Sequence, residues 1–273
     1  MMQPAHPKPI SRGALRRFLG REYFILKRRA AWLRGDVKWA RPQSGGVFCP
    51  HEVSAHRSLI LRPLQGLDMQ LQENKRTNLA LAVEQLDNTL MLPGQTFSFW
   101  RLVGRPTRRR GYIDGLVLRQ GQVTKGIGGG LCQFGNLIFW IAAHSALTIT
   151  ERYRHGYDVF PDVKRRVPFG AGATLAYNYI DLQIRNDTEE AYRWEFFLDG
   201  THLNGALRAS APDVRTYEVQ ERDPIIRQEW WGGYTRHNRI VKVATDPNGE
   251  ARETLLAENH AIMMYRPFLE ASS

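Results

Sequence analysis

Apolar residues near the start of the chain recur at steps of three and four, at Leu15, Leu19, Tyr23, Leu26, Ala30 and Leu33. Arg12, Arg16, Arg17, Arg21, Lys27, Arg28 and Arg29 fill much of the space between them. This spacing predicts a basic amphipathic helix with Ser11 as its N-cap. Such a helix either docks on the body by its apolar stripe or lies on a membrane surface. After a Gly/Pro-marked break from Arg41 to Pro50, Leu59 to Leu61 reads as a short strand. Asn74 to Leu86 reads as a helix whose Leu79, Val83 and Leu86 face inward. Pro93-Gly94 is a turn, and Phe97, Phe99, Val117 and Leu118 fall in short strands separated by Gly104, Gly111 and Gly115. Gly126-Ile127-Gly128-Gly129-Gly130-Leu131-Cys132-Gln133 then runs into an apolar helix from Phe134 to about Ser145.

Downstream the period changes to two. Tyr192, Trp194, Phe196 and Leu198 alternate with polar neighbours, and Asp199-Gly200 is a hairpin signal. Asp223-Pro224 and Asp246-Pro247-Asn248-Gly249 mark two further turns, the second between strands at Ile240 to Val243 and Arg252 to Leu256. The pattern predicts an α+β fold in which a cysteine-bearing helix packs on an antiparallel sheet, with a papain- or transglutaminase-like core as the nearest analogy. We divide it into a basic segment over residues 1–45, a core over 46–190 and a β-rich extension over 191–273, continuous with the core.

A length of 273 residues with 42% hydrophobic positions is enough to bury a core. The 38 Lys plus Arg against 27 Asp plus Glu give a formal charge of +11, which favours anionic partners. No zinc-finger spacing or RNP-type aromatic pattern accompanies the charge, so nucleic acid is not the expected partner. Only Cys49 and Cys132 are present, which leaves room for one disulfide at most. The longest apolar run, Leu137 to Leu147, is broken by His144 and Ser145 and falls short of a membrane span. The basic segment has no uninterrupted apolar stretch and no small-residue cleavage site, so a cleaved signal peptide is not expected. These features predict a cytoplasmic protein, peripheral to the inner face of the membrane through residues 12–34.

The chemistry centres on Cys132. Glycines ahead of it let the backbone bend sharply, and the start of a helix favours a thiolate through its dipole and free N–H groups. His155 follows as a candidate base and Asp181 as the carboxylate that would orient it. Gly128, Gly129, Gly130, Gln133, Arg152 and Trp100 are the candidate ligand-binding residues around this centre. The glycine run lacks the Gly-Lys-Ser/Thr ending of a P-loop. Cys49, His51 and His56 with Cys132 fit no standard zinc spacing. No cofactor and no metal are therefore expected. Trp100, Tyr112, Trp230 and Trp231 are candidates for stacking on sugars.

Several short segments together resemble the VanW family. They are Asn74-Lys75 with Asn78-Leu79, Pro93-Gly94 with Phe97-Ser98-Phe99-Trp100, Val103-Gly104, Gly111-Tyr112, and Gly128 through Gln133. Glu151-Arg152 with His155, Phe160-Pro161-Asp162, Pro168-Phe169-Gly170, Gly172-Ala173-Thr174 and Tyr177-Asn178-Tyr179 with Asp181-Leu182 complete the set. The similarity covers roughly residues 55 to 190 and weakens towards Tyr265. The family takes its name from an accessory gene of glycopeptide-resistance clusters, and the resemblance assigns no reaction. Other branches look like exported wall-associated proteins and often carry Asp before the Ala-Thr pair, where this chain has Gly172.

The resemblance implies a cell-envelope protein whose ligand is peptidoglycan or one of its precursors. As an enzyme it would use Cys132, His155 and Asp181 in acyl or amide-bond chemistry. As a binding module it would hold an anionic group at the glycine turn with Arg152, and as a structural partner of an envelope complex it would need only the basic helix and an exposed face.

Overall fold

A computed structural model describes residues 13–61, 69–119, 121–159, 167–177 and 179–267. Ser11, Phe160 to Asp162 and Asn178 lie outside these described residues. In chain order the elements are α1 (Ala14–Leu33), β1 (Lys38–Trp39), β2 (Arg41–Pro42), β3 (His51–Leu59), α2 (Met69–Leu86), β4 (Thr89–Met91) and β5 (Gln95–Ser98). Next come α3 (Phe99–Val103), β6 (Asp114–Arg119), β7 (Gln122–Ile127), α4 (Cys132–Ala143), β8 (Thr148–Glu151) and β9 (Tyr157–Asp158). The chain continues through β10 (Gln183–Arg185), β11 (Tyr192–Leu198), β12 (His202–Ala209), β13 (Thr216–Gln228), β14 (Tyr234–Thr245) and β15 (Ala251–Met263).

The fold is α+β, with mostly antiparallel sheets and few helices. Strand orders are β1-β5-β10-β8, β2-β4-β11-β12-β3 and β13-β14-β15-β9, with β6-β7 as a separate hairpin. The pairs β1–β5 and β9–β15 are parallel. Alternation along β12 puts Leu203, Gly205, Leu207 and Ala209 inward, and Tyr192, Trp194 and Phe196 of β11 do the same. These faces meet α4, which is apolar on nearly every side and buries Phe134, Leu137, Ile138, Phe139 and Ile141. A helix without a polar face belongs in the interior. Gly205 makes this possible, because a Cβ there would lie 3.0 Å from Leu137 Cδ2 and 2.9 Å from Ile141 Cδ1.

Several local expectations are corrected. Phe99 opens α3 rather than sitting in a strand, because Ser98 caps that helix by accepting a hydrogen bond from Arg101 N. Asp223-Pro224 does not end a strand; it is a bulge within β13, where the pairing register shifts and Asp223 takes φ 49°. Of the short strand read at Leu59 to Leu61, only Leu59 lies in a strand; it is the last residue of β3, which starts at His51 and pairs along β12. The helix read from Phe134 begins earlier, at Cys132.

The largest correction concerns α1. Its Leu15, Leu19, Tyr23, Leu26 and Leu33 are exposed, and only Ile25 is buried. Ile25 and Trp32 pack against the body, and ion pairs fix the helix there. Arg28 makes two hydrogen bonds to Glu151, at 2.6 and 2.5 Å, and Arg105 makes two to Glu22, at 3.3 and 2.8 Å.

Candidate functional site

Why the chain needs glycine before Cys132 is answered by two backbone segments and one side chain that crowd together. A Cβ on Gly129 would lie 2.1 Å from Gly115 C, and one on Gly115 would lie 2.5 Å from Gly129 O. No side chain fits between them. Gly130, at φ 97°, lies against the aliphatic stem of Lys75, where a Cβ would approach Cγ to 2.2 Å. The turn's amides are occupied: Gly128 N donates to Ile113 O, Gly129 N to Gly126 O and Gly130 N to Leu116 O, each at 3.0 Å. One face of α2 locks this arrangement. Asn78 Nδ2 donates to Ile113 O and Gly129 O, its Oδ1 accepts from Ile113 N, and Asn74 Nδ2 donates to Asp114 O. Positions 74, 75 and 78 share a helix face, so Asn74, Lys75 and Asn78 all meet the turn and the hairpin beside it.

Cys132 therefore starts α4 at a fixed place. Its Sγ donates to Leu175 O at 3.6 Å, and Asn136, one turn on, accepts from Ala173 N at 2.9 Å. Between them, Gly135 admits Leu175, whose Cδ1 would be 2.8 Å from any Cβ at that position. The segment from Gly172 to Leu175 thus runs along the face of α4 formed by Cys132, Gly135 and Asn136. On its other side Thr174 N donates to Tyr153 O, and Arg152 donates to Gly172 O, Gly170 O and Asn259 Oδ1. Gly172 lets this strip close, since a Cβ would meet Asn136 Oδ1 at 2.2 Å and Arg154 Nη1 at 3.3 Å. The hydroxyl of Thr174 is buried there without a hydrogen-bond partner.

Arg154 sets the electrostatics of this face. Desolvation is the first cause of the shift at Cys132, His155 and Arg152, and the positive charge of Arg154 adds a downward pull at each. Burial holds His155 down at about 4 and Arg152 at about 10, so the imidazole is neutral near pH 7. The start of α4 predicts an acidified thiol, yet desolvation outweighs the helix and Arg154 and pushes the Cys132 pKa up.

The remaining predicted site residues sit as follows. Asp181 is fully buried at the start of α3, where it accepts from Ser98 Oγ at 2.6 Å, Trp100 N at 3.0 Å and Leu182 N at 2.9 Å. Burial raises its pKa to about 6 against the pull of those donors. Among the described residues, Cys132, His155 and Asp181 make no hydrogen bond with one another. Gln133 donates to Ser58 Oγ and to the carbonyls of Ser58 and Leu59, tying α4 to β3. Trp100 is buried and donates to Ile180 O, while Tyr112 is also buried. Of the four aromatics considered for stacking, Trp230 is fully accessible, at 94% exposure. Cys49 and Cys132 are both free thiols, and Cys49 is buried in a separate small cluster with Leu90 and Ala191. Sequence reasoning missed Asn136, Arg154 and Thr174, although Thr174 lies within a motif it singled out.

The segments that build this site coincide with a known family. The model described as VanW like protein matches residues 74–208, which takes in the α2 clamp, the glycine turn, α4 and the strip. The chain belongs to the VanW family. It is 40% identical over 154 residues to the vancomycin B-type resistance protein VanW of Enterococcus faecalis, covering 56% of each chain. It is 32% identical over 114 residues to the uncharacterized protein YoaR of Bacillus subtilis, covering 42% of this chain and 36% of that one. The chain thus matches about half, or less, of these curated relatives' lengths. No solved structure matches. Within this VanW-family chain, α1 and the β13–β15 sheet lie outside the matched region.

Proposed function

We propose that this VanW-family chain serves at the bacterial cell envelope as a binding module for an anionic peptidoglycan-related ligand. The observation that carries the proposal is the convergence on the Gly172–Leu175 strip of the Cys132 thiol, the Asn136 carboxamide and the field of Arg154. A cationic field beside the Thr174 hydroxyl, which is buried without a hydrogen-bond partner, suits a carboxylate-bearing peptide, the chemistry of wall stem peptides. The chain's formal charge of +11 adds a general attraction for anionic material. Similarity to the enterococcal protein named for vancomycin resistance supports a role where glycopeptides and the wall meet.

A second reading keeps Cys132 as a nucleophile with His155 as base, and the position of Cys132 at the first residue of the twelve-residue helix α4 favours it. In that reading Asp181 acts at a distance by holding α3 and its surroundings rather than by orienting the imidazole. Of the two, binding is the better supported, because the thiol is held protonated and Asp181 is already saturated with donors.

Incubation with soluble muropeptides, followed by mass spectrometry and a parallel binding titration of Cys132→Ala, separates the two. The binding reading predicts unchanged muropeptides, no adduct on Cys132, and ligand retained by the alanine variant. Cleaved or transferred amide bonds that depend on Cys132 would establish the enzyme instead. Absence of both binding and product would overturn the wall-ligand assignment.

A further inference from the structure

Among the described residues no helix is long and apolar enough to cross a membrane, yet α1 presents an unusual outer face. At about 100° per residue, Leu15, Leu19, Tyr23, Leu26 and Leu33 share one arc of the helix, and all are exposed, Leu33 at 83% and Leu15 at 71%. Ile25 and Arg28, through which the helix meets the body, lie on a different arc. The helix is therefore docked with its apolar stripe outward. Its mounting is firm, because Arg28 to Glu151 and Glu22 to Arg105 are each paired twice.

We infer that α1 is a docking surface for an anionic lipid bilayer, lying in the headgroup plane while the body stays in water. Charge complementarity selects this occupant. Within α1 the cations Arg16, Arg17, Arg21, Lys27, Arg28 and Arg29 face a single acid, Glu22, which is itself paired with Arg105 and Arg21. Arg16 and Lys27 are exposed and border the stripe at one edge, so they would reach lipid phosphates as the leucines enter the acyl boundary. A second copy of the chain would bring these cations against their own kind, whereas an anionic leaflet satisfies both halves of the face. This inference is independent of the wall-ligand site, which uses none of these residues.

The test is co-flotation of the full chain with vesicles of phosphatidylglycerol and phosphatidylcholine, against vesicles of phosphatidylcholine alone. The native chain is expected to float with the anionic vesicles at low salt and to be released at high salt. Leu19→Glu with Leu26→Glu, and separately Arg16→Gln with Lys27→Gln, should each weaken partitioning by about tenfold or more. These positions are exposed, so circular dichroism should show both variants folded. Equal partitioning of native and variant chains would overturn the inference. So would a native chain that ignores anionic vesicles, or one that self-associates through this face without binding lipid.

Discussion

Asn78, buried on α2, donates to Gly129 O at 2.9 Å and so fixes the turn that delivers Cys132 to the start of α4. The same side chain both donates to and accepts from Ile113, which joins helix, hairpin and turn through one residue.

Asn78→Ala should accordingly cost about 3–5 kcal/mol, since it strands buried backbone groups as well as removing hydrogen bonds. Chemical denaturation measures this directly.

Gly129→Ala should be at least as damaging, because its Cβ would lie 2.1 Å from backbone that has no room to move. Gly200→Ala is the matched control: nothing lies within 4 Å of a Cβ there, and its cost should stay within about 0.5 kcal/mol. Similar midpoints for the two variants would mean that the glycine run is merely permissive.

A buried carboxyl and a half-buried imidazole give opposite pH dependences over one window. His155 falls from 6.5 unfolded to about 4 folded, so the unfolded chain binds the extra proton and stability is lost as pH drops from 6.5 to 4. Asp181 rises from 3.8 unfolded to about 6 folded, so the folded chain holds the extra proton and stability is lost as pH rises from 4 to 6. Each effect is at most about 3 kcal/mol, and that of His155 is smaller for its partial exposure. In the native chain the two largely cancel. His155→Asn should expose the loss on raising pH, and Asp181→Asn the loss on lowering it. Denaturation midpoints across pH 4 to 6.5 that are parallel in all three proteins would contradict this.

Cys132 should alkylate slowly at neutral pH, with its reactive form appearing only above the ordinary thiol range, because burial dominates its surroundings. Arg154→Ala should move that profile higher still by removing a favourable charge. A profile shifted below neutrality, abolished in His155→Ala, would restore the activated nucleophile.

Much of this architecture was legible because local rules and burial agree in it. The alternation in β11, the Asp199-Gly200 hairpin and the apolar length of α4 each announce themselves, since the residues that favour the element are also those that face the core. The orientation of α1 was not legible, because periodicity reveals a stripe but not what covers it; the side that docks carries Ile25, Trp32 and paired charges, which form no periodic stripe. Phe99 reads as a strand residue because its neighbour Ser98 does too; Ser98 becomes the cap of α3 where Asp181, from far along the chain, accepts from its hydroxyl and from Trp100 N. Of the residues gathered at the proposed site, Cys132 was the one that the sequence pattern singled out. Arg154 and Asn136 were not, because each acquires meaning only when the Gly172–Leu175 strip folds between α4 and the end of β8, a juxtaposition no local pattern encodes. Burial likewise reverses the expected shift of the thiol, and desolvation is invisible in sequence.

The central claim is that the Cys132–Arg154 face engages an anionic wall ligand, and the most direct measurement is calorimetric titration of a soluble muropeptide into native, Arg154→Ala and Thr174→Val proteins, each first shown to fold. The account predicts saturable binding by the native chain, weakened by about tenfold or more without Arg154, as expected for loss of a hydrogen bond to a charged group. A smaller loss is expected for Thr174→Val. Equal affinity in native and Arg154→Ala proteins, or no binding by the native chain, would contradict it.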